Sequence, residues 1–224
     1  MKRKYWLYTG FFIVLLGIFY FLLFAGTDYY KVKLPVLTYV QDFSFTDQNG
    51  KRVTQKNVDG KVYVAEYFFT TCKGICPKMN ANMKKIYDKF KDENGFAILS
   101  HTCMPETDSV PLLKAYEQKM LDDGKNQLPT INWYFLTGSK DSLYRMARES
   151  YLLDNDKNNN LNIADQFIHT QFFALVDKQR RLRGIYDGLK NDELDKLSND
   201  IKELLKETKD PQAGIGSPFG NNPN

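Results

Sequence analysis

Three cysteines and two histidines are all that the 224 residues contain, so there are few places where thiol or imidazole chemistry can occur. An excess of one charge is missing too. Of 31 basic residues, Lys2, Arg3 and Lys4 stand at the N-terminus; the other 28 face 27 acidic ones and leave the rest of the chain near neutral. That balance gives no reason to expect a polyanion, and so no nucleic acid, as a partner. Internal repeats are absent. The chain has one long apolar run, and no cysteine follows it to take a lipid. Phe24-Ala25-Gly26 is a poor small-x-small cleavage site, which favours an uncleaved anchor over a removable signal.

Residues 5–26 carry no charge. At ~1.5 Å per helical residue they span roughly 33 Å, enough for a ~30 Å hydrocarbon core. The three basic residues before the run are expected to stay in the cytoplasm, so the remainder lies outside it, at a bacterial-type inner (cytoplasmic) membrane facing the periplasm or exterior. The expected organisation is a cytoplasmic n-region at 1–4, a transmembrane anchor at 5–26, a linker at 27–39, one domain at 40–207 and a disordered Pro/Gly/Asn-rich tail at 208–224. A thiol pair outside the cytoplasm is exposed to oxidation unless a reductant or a metal protects it.

Within the domain, residues 42–54 read as a hairpin turning at Asn49-Gly50. Residues 62–69 are a central strand, polar only at Glu66. After Pro77, the residues Met79, Met83, Ile86, Tyr87 and Phe90 recur at helical spacing. Strands follow at 96–100, 131–136, 172–176 and 182–186. Helices are expected at 110–121, at 141–151 with Ser139 as N-cap, and at 192–207. Strands alternate with helices and a hairpin closes the sheet, which describes an α/β domain with a mixed central sheet and helices on both faces.

Cys72 and Cys76 lie where the central strand hands over to its helix, and ligand chemistry in open α/β sheets gathers at such strand ends. Thiols four apart can share one side of a helical turn, where they suit a thiophilic ion such as Cu(I) or can close a small disulfide. A helix N-terminus is expected to lower their pKa. His169, in the loop before the penultimate strand, is a candidate third donor; otherwise it is a packed or surface residue. Two sulfurs and an imidazole would hold Cu(I), or Cu(II) with a further ligand.

The hairpin Asp42-Phe43-Ser44-Phe45-Thr46-Asp47-Gln48-Asn49-Gly50, the Cys72-x-x-x-Cys76-Pro77 motif, residues 102–116, Leu136-Thr137-Gly138, His169, Leu175-Val176-Asp177 and Arg183-Gly184-Ile185-Tyr186 together resemble the Sco/SenC family of copper chaperones. The resemblance covers roughly residues 40–205. It implies a thioredoxin-like fold behind one N-terminal transmembrane helix, copper bound by Cys72, Cys76 and His169, and delivery to the binuclear copper centre in the copper-bearing subunit of cytochrome c oxidase, with a separate protein as copper donor. This chain departs from the family pattern at two places. Ile168 stands where the family has Asp before its histidine, and Met104, beside Cys103, stands where it has Asp before Pro.

The competing reading is a thiol–disulfide oxidoreductase that reduces the acceptor's cysteines, with Cys72 and Cys76 as the redox pair. A peroxidase is disfavoured because no arginine stands near Cys72. Cys103 and Met104 are either extra soft donors or a packed strand end. His101 reads as packing or surface. Residues 154–165 have the spacing of a calcium loop but lack its glycine and terminal glutamate, so a solvated insertion is expected.

Overall fold

The computed structural model describes residues 2–24, 34–121, 132–154, 168 and 170–207. Most of the expected linker, most of the calcium-like segment, His169 and the tail at 208–224 lie outside the described residues. The chain divides into two compact units, Met1–Leu34 and Pro35–Asn224.

The first unit is one helix, α1 (Lys2–Phe24). Apolar side chains surround it with no polar stripe, unlike a helix packed on a soluble core. Its Lys4–Leu22 stretch is long and apolar enough to cross a membrane by length and composition. The Thr9 hydroxyl donates to the Tyr5 carbonyl at 2.8 Å, which satisfies a polar group within the helix itself.

The second unit is built on strands β1 (Thr38–Tyr39), β2 (Ser44–Thr46), β3 (Arg52–Thr54), β4 (Val62–Phe68), β5 (Phe96–Thr102), β6 (Trp133–Leu136), β7 (Phe172–Val176) and β8 (Arg181–Asp187). Its helices are α2 (Cys76–Phe90), α3 (Val110–Leu121), α4 (Lys140–Arg145) and α5 (Asn191–Lys206). Six strands form one mixed sheet in the order β1-β8-β7-β4-β5-β6, with β4, β5 and β6 parallel and β7 and β8 antiparallel. This is the expected mixed α/β architecture.

Every residue of β4 is buried, as a strand covered on both faces must be. Tyr63, Ala65 and Tyr67 point into a cluster with Phe45 from the hairpin, Leu143 and Tyr144 from α4, and Tyr151 six residues beyond it. On the opposite face Phe68 stacks on Tyr116 of α3, and Tyr87 of α2 meets Trp133 of β6. The hairpin β2–β3 turns at Gly50, whose φ of 73° suits the expected Asn-Gly turn. Asp47 Oδ1 accepts from the amides of Asn49 and Lys51, both at 2.8 Å, and fixes that turn.

The Gln48 side chain leaves the hairpin to bond β6. Its amide nitrogen donates to the Trp133 carbonyl at 3.1 Å, and its oxygen accepts from the Phe135 amide at 3.0 Å. A bridge between Thr46 and Thr137 continues the contact. Buried Arg183 pairs with Asp177 at 2.7 Å and with Glu207 at 3.1 Å, and donates to the Pro35 carbonyl. It thereby ties β8, the end of α5 and the start of this unit together.

Three features differ from the expected elements. Thr38–Tyr39, inside the expected linker, is a strand paired with β8. β5 runs two residues further than expected and takes in His101 and Thr102. The helix from Ser139 ends its α-turns at Arg145 and continues as a π-turn over Met146–Ser150. Ser139 does cap it, accepting from the Ser142 amide.

Gly188 follows β8 and is packed too tightly for a side chain. A Cβ there would lie 2.6 Å from the Phe173 ring and 2.8 Å from the Gln171 carbonyl. Gly188→Ala is expected to destabilise the fold by about 1–3 kcal/mol, read as a lower urea midpoint at unchanged m.

Candidate metal centre

β4 ends at Phe68, and eight residues later α2 begins at Cys76, with Pro77 in its first turn where no amide bond is lost. Ile75 caps the helix without a side-chain bond. Cys72 is half-buried on the connecting loop, its amide bonded to the Phe69 carbonyl at 3.2 Å. Cys76 is buried, and neither thiol is in a disulfide.

The expectation that the helix start would lower the thiol pKa does not hold for Cys76. Burial pushes its thiol up to about 12, helped by a hydrogen bond with Cys72 and by the nearby Cys72 and Glu66 charges, against a smaller lowering by the Phe69 backbone. Loss of solvent around the thiolate outweighs the helix-end field. In the metal-free, reduced protein Cys76 keeps its proton.

Beneath Cys76, Glu66 is fully buried. Its Oε1 accepts from the Ser100 hydroxyl at 2.6 Å, and that hydroxyl accepts from the Trp133 indole N–H at 2.9 Å. Glu66 Oε2 has no partner. Burial raises this carboxyl to about 7, against the smaller lowering effect of the Ser100 bond. On α2, Asn80 donates to the Tyr116 hydroxyl.

Cys103 follows β5. Its amide and its thiol both donate to the Phe68 carbonyl, at 2.8 and 3.2 Å. Burial pushes its thiol pKa well up, with the Cys76, Asp108 and Cys72 charges adding to the effect. Among the described residues, no three His, Cys, Asp or Glu side chains lie together so as to hold a metal, and this includes the three cysteines. Cys103 is packed, with almost no exposed surface. The Met104 amide donates to the Thr102 hydroxyl at 2.9 Å, and its carbonyl accepts the amides of Thr107 and Asp108.

Sequence reasoning passed over Asp108, which sits between these two loops. It has no exposed surface. Its Oδ1 accepts from the Thr70 hydroxyl at 2.6 Å, its Oδ2 accepts from the Thr70 amide at 3.2 Å, and the Thr102 hydroxyl also donates to it. A Thr-x-Cys segment facing a Thr-x5-Asp turn is the only signal in the sequence, and it is too weak to single out.

His169 lies outside the described residues. The residue before it, Ile168, is buried in the cluster that holds Tyr67, Cys103 and Tyr144. The Tyr144 hydroxyl donates to the Cys103 carbonyl at 2.8 Å.

His101 is a fully buried packing residue. Its ring stacks on Tyr67 with centroids 5.1 Å apart and meets the edges of Phe45 and Tyr151. Asp154, the first residue of the calcium-like segment, is paired with Arg148 at 2.8 Å.

A mixed-sheet α/β domain with a dithiol between its central strand and the following helix is a thioredoxin-like protein. This chain belongs to the SCO1/SenC family, whose model matches residues 33–206. It is 33% identical over 187 residues to the SCO1 protein homolog of Bacillus subtilis, covering 83% of this chain and 91% of that one. Its fold matches a structure described as identifying a disulfide switch in BsSco, a member of the Sco family of cytochrome c oxidase assembly proteins. That match has a TM-score of 0.61 and 32% identity, and covers 78% of this chain and 97% of that one. It also shares its fold with the crystal structure of yeast Sco1 with copper bound, at a TM-score of 0.58 and 22% identity over 81% of this chain and 96% of that one.

Proposed function

We propose that this protein is a membrane-anchored copper-binding chaperone. It holds copper with Cys72, Cys76 and His169, and delivers it to the copper-bearing subunit of cytochrome c oxidase for the binuclear centre. The carrying observation is the dithiol at the C-terminal end of β4, with Ile168 buried in the same cluster as Cys103 of the neighbouring strand end. That shared burial supports a reading in which His169 approaches the same end of the sheet. Soft sulfurs with one imidazole fit copper. The membership and the copper-bound and oxidase-assembly relatives support the cargo and the acceptor. The helix at Lys4–Leu22 supports an anchor over residues 5–26, and the basic residues before it support an extracytoplasmic domain at a bacterial-type inner membrane. Copper arrives from a separate donor protein.

Titration of the full chain in detergent with Cu(I), followed by X-ray absorption, tests this reading. Two sulfur neighbours and one nitrogen are expected; a site with no nitrogen neighbour would count against His169. Diamide-treated protein is expected to retain little Cu(I), because disulfide closure removes two donors.

Proton release gives a further expectation. The raised Cys76 pKa means that metal must displace a proton at neutral pH, so the apparent affinity should rise about tenfold per pH unit for this thiol between about pH 6 and 8. Chelator competition at several pH values measures the slope, and a flat profile contradicts it.

The second reading, thiol–disulfide exchange, is favoured by one observation: Cys72 is the more accessible thiol, and Cys76 lies buried near enough for the two to interact electrostatically. The Cys72 thiolate would attack a disulfide of the acceptor. Cys76 would then close onto Cys72, releasing the acceptor as a dithiol, so that the pair gives up two electrons and two protons. The two activities are compatible, since an acceptor must be reduced before it takes metal.

A further inference from the structure

We propose that Asp108 is a positioning residue for the cysteine pair: its buried carboxylate locks the loop carrying Cys72 to the end of β5, and thereby sets the geometry in which the two sulfurs meet their ligand. The proposal rests on the copper reading above for its ligand, but its geometric content is independent of it.

A carboxylate with no exposed surface has lost its hydration, which costs several kcal/mol unless strong hydrogen bonds replace it. No lysine or arginine among the described residues pairs with Asp108. Its partners are donors from the two strand ends. The hydroxyl and amide of Thr70 come from the loop after β4, and the hydroxyl of Thr102 comes from the last residue of β5. Bonds to a charged acceptor are about twice as strong as neutral ones.

Thr70 lies two residues before Cys72, and Thr102 immediately precedes Cys103. Between Phe69 and Ile75 the loop has no regular secondary structure. Within it, the Cys72 amide makes one long bond to Phe69, and the Thr70 contacts with Asp108 are the strongest anchor from outside the loop. Asp108 is itself held by the bond from its amide to the Met104 carbonyl at 2.9 Å, in the turn that leads to α3. The chain of contacts therefore runs from a rigid turn, through one carboxylate, to the loop that has to place Cys72 opposite Cys76.

The test uses the full chain in detergent and compares wild type with Thr70→Val, Thr70→Ser and Asp108→Asn. Leu197→Ala, a core change on α5, serves as a control for general loss of stability. Three quantities are read: Cu(I) affinity by chelator competition, the equilibrium of the metal-free Cys72–Cys76 dithiol and disulfide against glutathione, and Tm. Thr70→Val and Asp108→Asn are expected to weaken Cu(I) about 10- to 100-fold, the range typical of residues that orient metal ligands. They should also shift the dithiol–disulfide equilibrium several-fold, while Thr70→Ser, which keeps the hydroxyl, stays within about threefold of wild type on both.

Thr70→Val leaving both quantities unchanged overturns the proposal. So does Leu197→Ala producing the same losses at a matched fall in Tm. If wild type itself binds no Cu(I), the copper reading fails, and the glutathione equilibrium alone decides the loop claim.

Discussion

His169→Ala is expected to weaken Cu(I) binding by at least about a hundredfold while leaving the Cys72–Cys76 disulfide free to form. Structural zinc sites gain roughly 10–16 kcal/mol from four donors, or about 3 kcal/mol for each, and 1.4 kcal/mol is a factor of ten. An imidazole that completes a three-donor site should contribute on that scale. Dithiol exchange needs only the two sulfurs, so a thiol-exchange assay on the same variant should stay within a few-fold of wild type. Cys76→Ser should lose both properties, because one thiol neither closes a disulfide nor clamps a soft ion. An affinity within threefold of wild type in His169→Ala would exclude the imidazole from the site and leave the oxidoreductase reading as the better one.

The second large effect concerns acid and base stability. His101 and Glu66 are buried on adjacent strands, and Glu66 is in register with Ser100, the residue before His101. Burial lowers the His101 pKa from 6.5 to about 4, and both of its ring nitrogens lack partners. The stability linked to His101 is therefore fully present above pH 6.5 and is lost as pH falls through about 4. Burial raises Glu66 from 4.5 to about 7, so its contribution is fully present below pH 4.5 and is lost as pH rises through about 7. Each amounts to roughly 3 kcal/mol across its window.

Between about pH 4.5 and 6.5 the two slopes oppose each other, and their sum in the wild type should be nearly level. His101→Phe, which suits the surrounding aromatic rings, should become more stable on acidification across that range. Glu66→Gln should become less stable on acidification there, and should exceed wild type by roughly 3 kcal/mol at pH 8. Urea melts at half-unit pH steps measure all three curves. Parallel curves for the wild type and both variants would refute the assignment.

The parts of the fold readable from sequence are those whose signal is local. Asn49-Gly50 marks its turn because it supplies the positive φ observed at Gly50. The apolar run at 62–69 could only be a doubly covered strand, and Pro77 after Cys76 marks a helix start. The failures come from tertiary packing. Thr38–Tyr39 is two residues long and exists only because β8 offers an edge. The π-turn at Met146–Ser150 keeps its buried residues on the face that a helical period already describes, so no local signal marks where the α-turns give way.

The centre divides the same way. Cys72 and Cys76 are visible because their spacing and position carry the chemistry. The direction of the Cys76 pKa depends on how much protein covers the thiol, and spacing is silent on that. Asp108 looks like any acidic turn residue until the fold brings Thr70 against it.

The docking of the hairpin on β6 bears on how this protein behaves when many copies crowd together. A sheet's outermost strand ordinarily offers free amides and carbonyls to a neighbouring molecule. Here the Gln48 side chain occupies the Trp133 carbonyl and the Phe135 amide, and Thr46 bridges Thr137 just beyond. At the opposite margin β1 is only two residues long. Among the described residues the β6 margin is therefore largely occupied, and a second copy would have little means of adding a strand there.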